Sequence, residues 1–176
     1  MLPKEYSWLD KEPSPAILLE MIKIHGVLEA PGASDNTVIL GWAKEIGVAD
    51  VYKHDETPWC GLTVGLVVKR AGLNGVATPL WAKAWANWGT PQKNAMLGDV
   101  LVFDRAGGGG HVGLYIGEDK DAYHVIGGNQ RDSVCISRIL KNRIFSIRRT
   151  AWKMEQPANI RRVQLAATGA PTTNEV

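Results

Sequence analysis

Asp55-Glu56-Thr57-Pro58-Trp59-Cys60-Gly61-Leu62 is the stretch on which the rest of the chain turns. Pro58 cannot sit inside a helix and pushes the residue before it towards extended geometry, so the following helix starts at or just after Cys60. That helix runs over about residues 61–71. It is apolar nearly all round (Leu62, Val64, Leu66, Val67, Val68, Ala71), which predicts a buried central helix. Gly72 and Asn74-Gly75 stop it. A thiol at such a helix mouth meets unpaired amide groups and the positive end of the helix dipole, both of which favour the nucleophilic thiolate. The competing reading is a small buried hydrophobe.

Upstream, Pro3, Tyr6, Trp8, Leu9 and Pro13 describe an extended lead-in pinned by aromatics. Ser14 as N-cap and Pro15 at the first helical position open a helix to about His25, with Ile17, Leu18, Met21, Ile22 and Ile24 as its apolar face. Ser34-Asp35-Asn36 caps a second helix at about Thr37–Ile46, closed by Gly47.

Downstream, Trp81, Trp85 and Trp88 at i, i+4 and i+7 share one helical face, a spacing commoner in cores than in grooves. The period then changes to alternation. Asp99-Val100-Leu101-Val102-Phe103, His111-Val112-Gly113-Leu114-Tyr115-Ile116, Ala122-Tyr123-His124-Val125-Ile126, Val134-Cys135-Ile136-Ser137 and Arg143-Ile144-Phe145-Ser146-Ile147-Arg148 read as short strands at meander spacing. Helices followed by an antiparallel sheet make an α+β domain over residues 1–152. Residues 153–176, rich in Pro, Ala and Thr, are expected to form a loose tail with a short helix near 159–165.

At 176 residues with 45% hydrophobic and 22% charged content, the chain has the composition of an ordinary single-domain globule. A net charge of +2 gives no argument for nucleic acid as a partner. No apolar run is long enough to span a membrane, and no charged n-region precedes an apolar core at the start. The chain is therefore expected to be made in the cytoplasm without a signal peptide. Two cysteines without CxxC or Cys/His spacing, and four scattered histidines, give no metal set, so neither metal nor cofactor is expected. Cys135, inside an alternating strand, reads as structural.

His111 opens a strand directly after Gly107–Gly110 and is placed to serve as base to a helix-borne cysteine. Two residues compete to orient it. A turn at Asp119-Lys120-Asp121 pairs Glu118 with Ala122 and sets Asn129 opposite His111. A register one residue longer puts His124 on the His111 face, but about 13 Å further along the strand. The shorter reach favours Asn129. Trp59, beside the nucleophile, is the best groove-wall candidate, and Asp55 and Glu56 are candidates for binding a substrate amine. Glu29 with Glu56 is a weaker glycosidase pair. Arg148-Arg149 and Arg161-Arg162 read as solvated charge.

Thr57-Pro58-Trp59-Cys60-Gly61, Leu97-Gly98-Asp99-Val100-Leu101-Val102-Phe103, Gly110-His111-Val112-Gly113-Leu114-Tyr115-Ile116-Gly117 and Val125-Ile126-Gly127-Gly128-Asn129-Gln130, in that order, resemble the papain-like cell-wall hydrolases. That group includes the NlpC-type endopeptidases and CHAP amidases, and the resemblance is strongest to a phage-endolysin-like branch with PWCG and GGNQ. It covers about residues 6–149. It implies a papain-like fold, with the nucleophile at the start of a central helix packed on the sheet. It also implies Cys60 as nucleophile, His111 as base, and a third residue that is His124 in the NlpC pattern or Asn129 in the CHAP-like one. The implied activity is cleavage of a peptidoglycan amide, either muramoyl-L-alanine or a stem-peptide bond, after release through a holin or a secretion apparatus. A protein-directed protease or transamidase and a non-catalytic wall-binding module are the alternatives.

Overall fold

A computed structural model of the chain describes residues 1–152, 159–173 and 175. Three α-helices, α1 (Ala16–Lys23), α2 (Thr37–Ile46) and α3 (Cys60–Arg70), precede the strands β1 (Thr90–Pro91), β2 (Val100–Asp104), β3 (Gly110–Glu118), β4 (Ala122–Gly127), β5 (Cys135–Leu140) and β6 (Ile144–Arg149). The strands form one six-stranded sheet in the order β1-β6-β2-β3-β4-β5, and every pairing is antiparallel. From β2 to β5 the sheet is the expected meander. β6 does not extend it but returns to flank β2 on the other side.

Helix α3 is the centre of the molecule. Every residue from Cys60 to Val68 is buried, because α1 and α2 cover one side of the helix and β3 lies on the other. Each such Leu or Val side chain contributes roughly 1.5–3 kcal/mol on leaving water. The turn before it obeys the proline: Trp59 is the N-cap, no side chain caps it, and Thr63 Oγ1 donates back to the Trp59 carbonyl at 2.8 Å. Gly61 is required by packing, since a Cβ there would stand 2.8 Å from the Leu80 carbonyl oxygen. For α2 the anticipated caps are present, Asn36 Oδ1 accepting from Val38 N and Gly47 closing the helix at φ 80°. α1 starts one residue later than the sequence pattern implied, with Pro15 itself as N-cap.

Alternation along the strands divides two cores. Val100, Val102, Val112, Leu114, Ile116 and Ile126 face the helices. Leu101, Phe103, Tyr115, Val125, Ile139 and Ile147 form a second cluster on the opposite face. Trp85 and Trp88 belong to the helix-side core but lie on or just after a 3-10 turn, Ala82–Asn87. Trp81 falls outside that turn and is 73% exposed.

The segment expected to be loose is laid against the sheet over its described residues, and residues 153–158 lie outside them. Ile160 and Val163 are buried, Gln164 bridges to Glu118 and Thr172 to Ile139. Residues 159–165 form this extended run instead of a helix. Arg162 pairs with Glu118, and Arg161 with Glu12. Among the described residues no helix is long and apolar enough to cross a membrane.

Candidate functional site

Cys60 occupies the first position of α3 and is 3% exposed. The backbone N–H groups of Val112 and Gly61 act on its sulfur and favour the thiolate. Val112 lies on the helix face of β3, and His111, one residue earlier, turns to the other face, where its ring stacks on Phe103 with 6.4 Å between centroids. The β3–β4 ladder ends at Leu114↔Ile126. Beyond that point the first turn of α3 comes against the peptide that joins His111 to Val112, so the sulfur sits next to the backbone that carries the imidazole.

The group that holds the imidazole is Gln130, whose Oε1 is 3.0 Å from His111 Nε2. Its amide orientation is fixed, because Gln130 Nε2 donates to the Val125 carbonyl at 3.2 Å and to the Cys135 carbonyl at 2.5 Å. Only the oxygen is left to face the ring, so His111 Nε2 carries the proton and Nδ1 keeps the lone pair when the ring is neutral. That is the tautomer a base needs if it is to take a proton from a thiol. Cys135 Sγ donates to the Gln130 carbonyl at 3.0 Å and so helps hold the same turn.

Asn129 corrects the expectation drawn from hairpin register. A bulge between Tyr115 and Gly117 shifts the pairing from Glu118↔Tyr123 back to Leu114↔Ile126, and the chain then leaves the strand after Gly127. In the turn that follows, Asn129 adopts φ 53° and its Oδ1 accepts from Trp59 N at 3.2 Å. It therefore grips the residue before the nucleophile, while its neighbour reaches the base. Gly128 makes the approach possible, since a Cβ there would lie 2.7 Å from the Trp59 ring and strike Thr63.

The substrate-binding expectations for Trp59 and Asp55 are likewise corrected. Trp59 is fully buried against Trp42 and donates its indole N–H to Glu29 Oε2 at 2.7 Å, so it walls no groove. That bond also removes Glu29 from any glycosidase pair. The Asp55 carboxylate is buried and accepts from Ala30 N and Asn36 N at 2.9 and 2.8 Å, which ties two loops together. Glu56 is exposed on the same loop. His124 lies in a separate network, with Tyr6 Oη 2.7 Å from Nδ1 and Asp119 Oδ2 2.8 Å from Nε2.

A buried carboxylate acts on Cys60 and His111. The Glu175 side chain has no exposed surface and forms a two-point ion pair with Arg143 at 2.6 and 2.9 Å. Arg105 Nε lies 3.9 Å away, and the Glu175 carbonyl accepts from Arg131 N at 2.7 Å. The charges of Glu175 and Arg105 act on both His111 and Cys60. Burial pushes the Cys60 thiol up, against the pull of the Val112 and Gly61 amides. Burial also drives the imidazole of His111 down to about 4, although Glu175 and Gln130 work to raise it. As described, the pair rests as neutral thiol and neutral imidazole. Among the described residues no group of three or more His, Cys, Asp and Glu side chains is placed to hold a metal ion.

Comparison with protein-family models, with curated proteins and with solved structures finds no match for this chain. The site therefore stands on its own geometry. Sequence reasoning passed over Gln130, although it ends the Gly-Gly-Asn-Gln run already singled out, and it passed over Arg143 and Glu175, for which no local pattern gives a signal.

Proposed function

We propose that the chain is a cysteine-dependent hydrolase of papain-like type that cleaves an amide bond in peptidoglycan. The observation that carries the reading is the meeting of the Cys60 sulfur with the peptide after His111, while Gln130 fixes the imidazole with its basic nitrogen free of that bond. The ordered resemblance of the PWCG, His-Val-Gly and GGNQ segments to cell-wall hydrolases supports the substrate class. A site of action in the bacterial wall, reached by release or delivery, follows from the same resemblance.

In this mechanism the thiol proton passes around the end of β3, from the helix face to His111 Nδ1 on the opposite face, and the Cys60 thiolate attacks the amide carbonyl. The oxyanion is met by the first N–H groups of α3, which have no intrahelical partners and lie at the positive end of the helix. The imidazolium protonates the leaving amine. Water, activated by the same imidazole, then attacks the thioester and restores the thiol. Gln130 keeps the ring in one tautomer through both halves, and Asn129 fixes the backbone ahead of the nucleophile.

The test is digestion of purified sacculi with mass analysis of the fragments. The parent protein is expected to release products with a new amine and a new carboxyl end, and Cys60→Ala to release none above background. New reducing sugar ends, or clearance by Cys60→Ala at the parent rate, would overturn the proposal.

A further inference from the structure

The Glu175 carboxylate is a buried anion whose backbone is held by Arg131, next to Gln130, and whose charge acts on Cys60 and His111; the groups that hold it are those that would hold a substrate anion. Arg143 engages it through Nη1 and Nη2, the fork geometry that selects carboxylates, and Arg105 adds a second positive charge. These contacts belong to side chains from β2's following loop and the turn before β6, which are fixed by the sheet. Arg143 is further anchored by donating Nε to the Asp104 carbonyl at 3.0 Å. Glu175 lies on the segment after the last strand, which meets the sheet through the Thr172–Ile139 bridge, the bonds of Arg138 and Arg143 to the Gly169 and Thr172 carbonyls, and Arg131 N on the Glu175 carbonyl. The socket is built from the ends of β2 and β6, and its occupant comes from a segment outside the strands.

We propose that Arg143 and Arg105 form a carboxylate-binding subsite beside Cys60 and His111, which recognises an acidic group of the peptide substrate and is filled here by the chain's own Glu175. The proposal rests on the hydrolase reading for the identity of the substrate, but not for the existence of the socket. Glu175 then acts as an internal substrate mimic: an acidic peptide must displace it to reach the thiol, and a neutral peptide gains nothing from the arginines. Leaving of Glu175 also admits water to the site, which lowers the barrier to ionising the thiol.

The experiment uses S-alkylation of Cys60 in the full chain carrying Cys135→Ser, so that one thiol is read by mass. The probes are iodoacetate, which bears a carboxylate, and iodoacetamide, its neutral counterpart; each is attacked by sulfur with loss of iodide. In the parent both are expected to react slowly. In Glu175→Ala the iodoacetate rate is expected to rise at least about tenfold more than the iodoacetamide rate, as local positive charge concentrates the anion. Glu175→Gln, which keeps the volume and loses the charge, is expected to move in the same direction. Adding Arg143→Gln to Glu175→Ala should bring the ratio of iodoacetate to iodoacetamide rates back to the parent's. Equal gains for both reagents, no gain for either, or a preference that survives Arg143→Gln would each overturn the subsite. Failure of the hydrolase reading appears elsewhere, as absence of new ends from sacculi in every variant, and leaves the alkylation result standing.

Discussion

Two histidines are buried in the same sheet, and their surroundings assign them opposite tasks. His124 has both ring nitrogens engaged, one by the Tyr6 hydroxyl and one by Asp119, and Asp119 is in turn held by Arg138 at 2.7 Å. His111 has its Nε2 on a neutral amide, and it is the peptide after it, not its ring, that meets the thiol-bearing helix mouth. Burial lowers both rings, but Asp119 opposes the shift at His124 with a full charge and a direct bond. The Arg138 guanidinium, ahead of the bonds from Asp121, His124 and Ala122, holds the Asp119 carboxyl well below the usual carboxylate range. A histidine saturated by a charged partner has no proton to trade; one steadied on a single side by an uncharged amide does.

The contrast is broken most directly at the rings themselves. His111→Gln is expected to reduce release of wall fragments by about three orders of magnitude or more, as loss of a base in an acyl-transfer pair does. His124→Gln should leave the rate per folded molecule within about twofold and instead cost about 1–3 kcal/mol of stability, because Asp119 and Tyr6 lose a buried partner. Thermal melts read beside initial rates separate the two. Equal loss of rate in both variants would dissolve the distinction.

A smaller effect is expected at the residue that steadies the base. Gln130→Leu keeps the volume but leaves the ring free to turn, and a fall of about 10- to 100-fold in kcat with little change in KM is expected. It also strips two buried carbonyls, those of Val125 and Cys135, of their donor, so melting should drop as well.

Acid sharpens the comparison further. The folded pKa of His111 lies near 4 against an ordinary 6.5, so between these values the unfolded chain binds the extra proton. Its neutral-state contribution is complete above about 6.5 and is lost as pH falls towards 4. Denaturant midpoints measured across that window should fall less steeply with acid in His111→Gln than in the parent. The smallest effect belongs to Tyr6→Phe, which removes one hydroxyl from His124 Nδ1. About 1 kcal/mol of stability and no change in rate are expected, by the same denaturant titration.

Much of this arrangement was legible in residues with strong local rules. Pro58 fixed where α3 begins, Asn36 and Gly47 bounded α2, and alternation placed β2, β3 and β4 to within a residue or two. What escaped were outcomes decided by distant partners. The choice between Asn129 and Gln130 depends on a bulge in β3 and on a turn in which Asn129, Arg131 and Asp132 all take φ 53°, and alternation has no term for either. Asp55 looked available because its loop is polar, yet backbone amides 25 and 19 residues away capture it. Trp59 follows proline and precedes cysteine, but the direction of its ring is set by Glu29 and Trp42. The tail lacks apolar periodicity and still packs, because ion pairs and single bridges hold it.

The return of β6 to the flank of β2 bears on the order in which the protein is born. Helix α3 leaves the ribosome early with apolar side chains on every face, whereas the sheet meant to receive it stays incomplete until β6 has been synthesised. The mouth of α3 thus waits for the β3 peptide it packs against, and the finished sheet arises only once β6 is made, through pairings far apart along the chain and correspondingly slow to form.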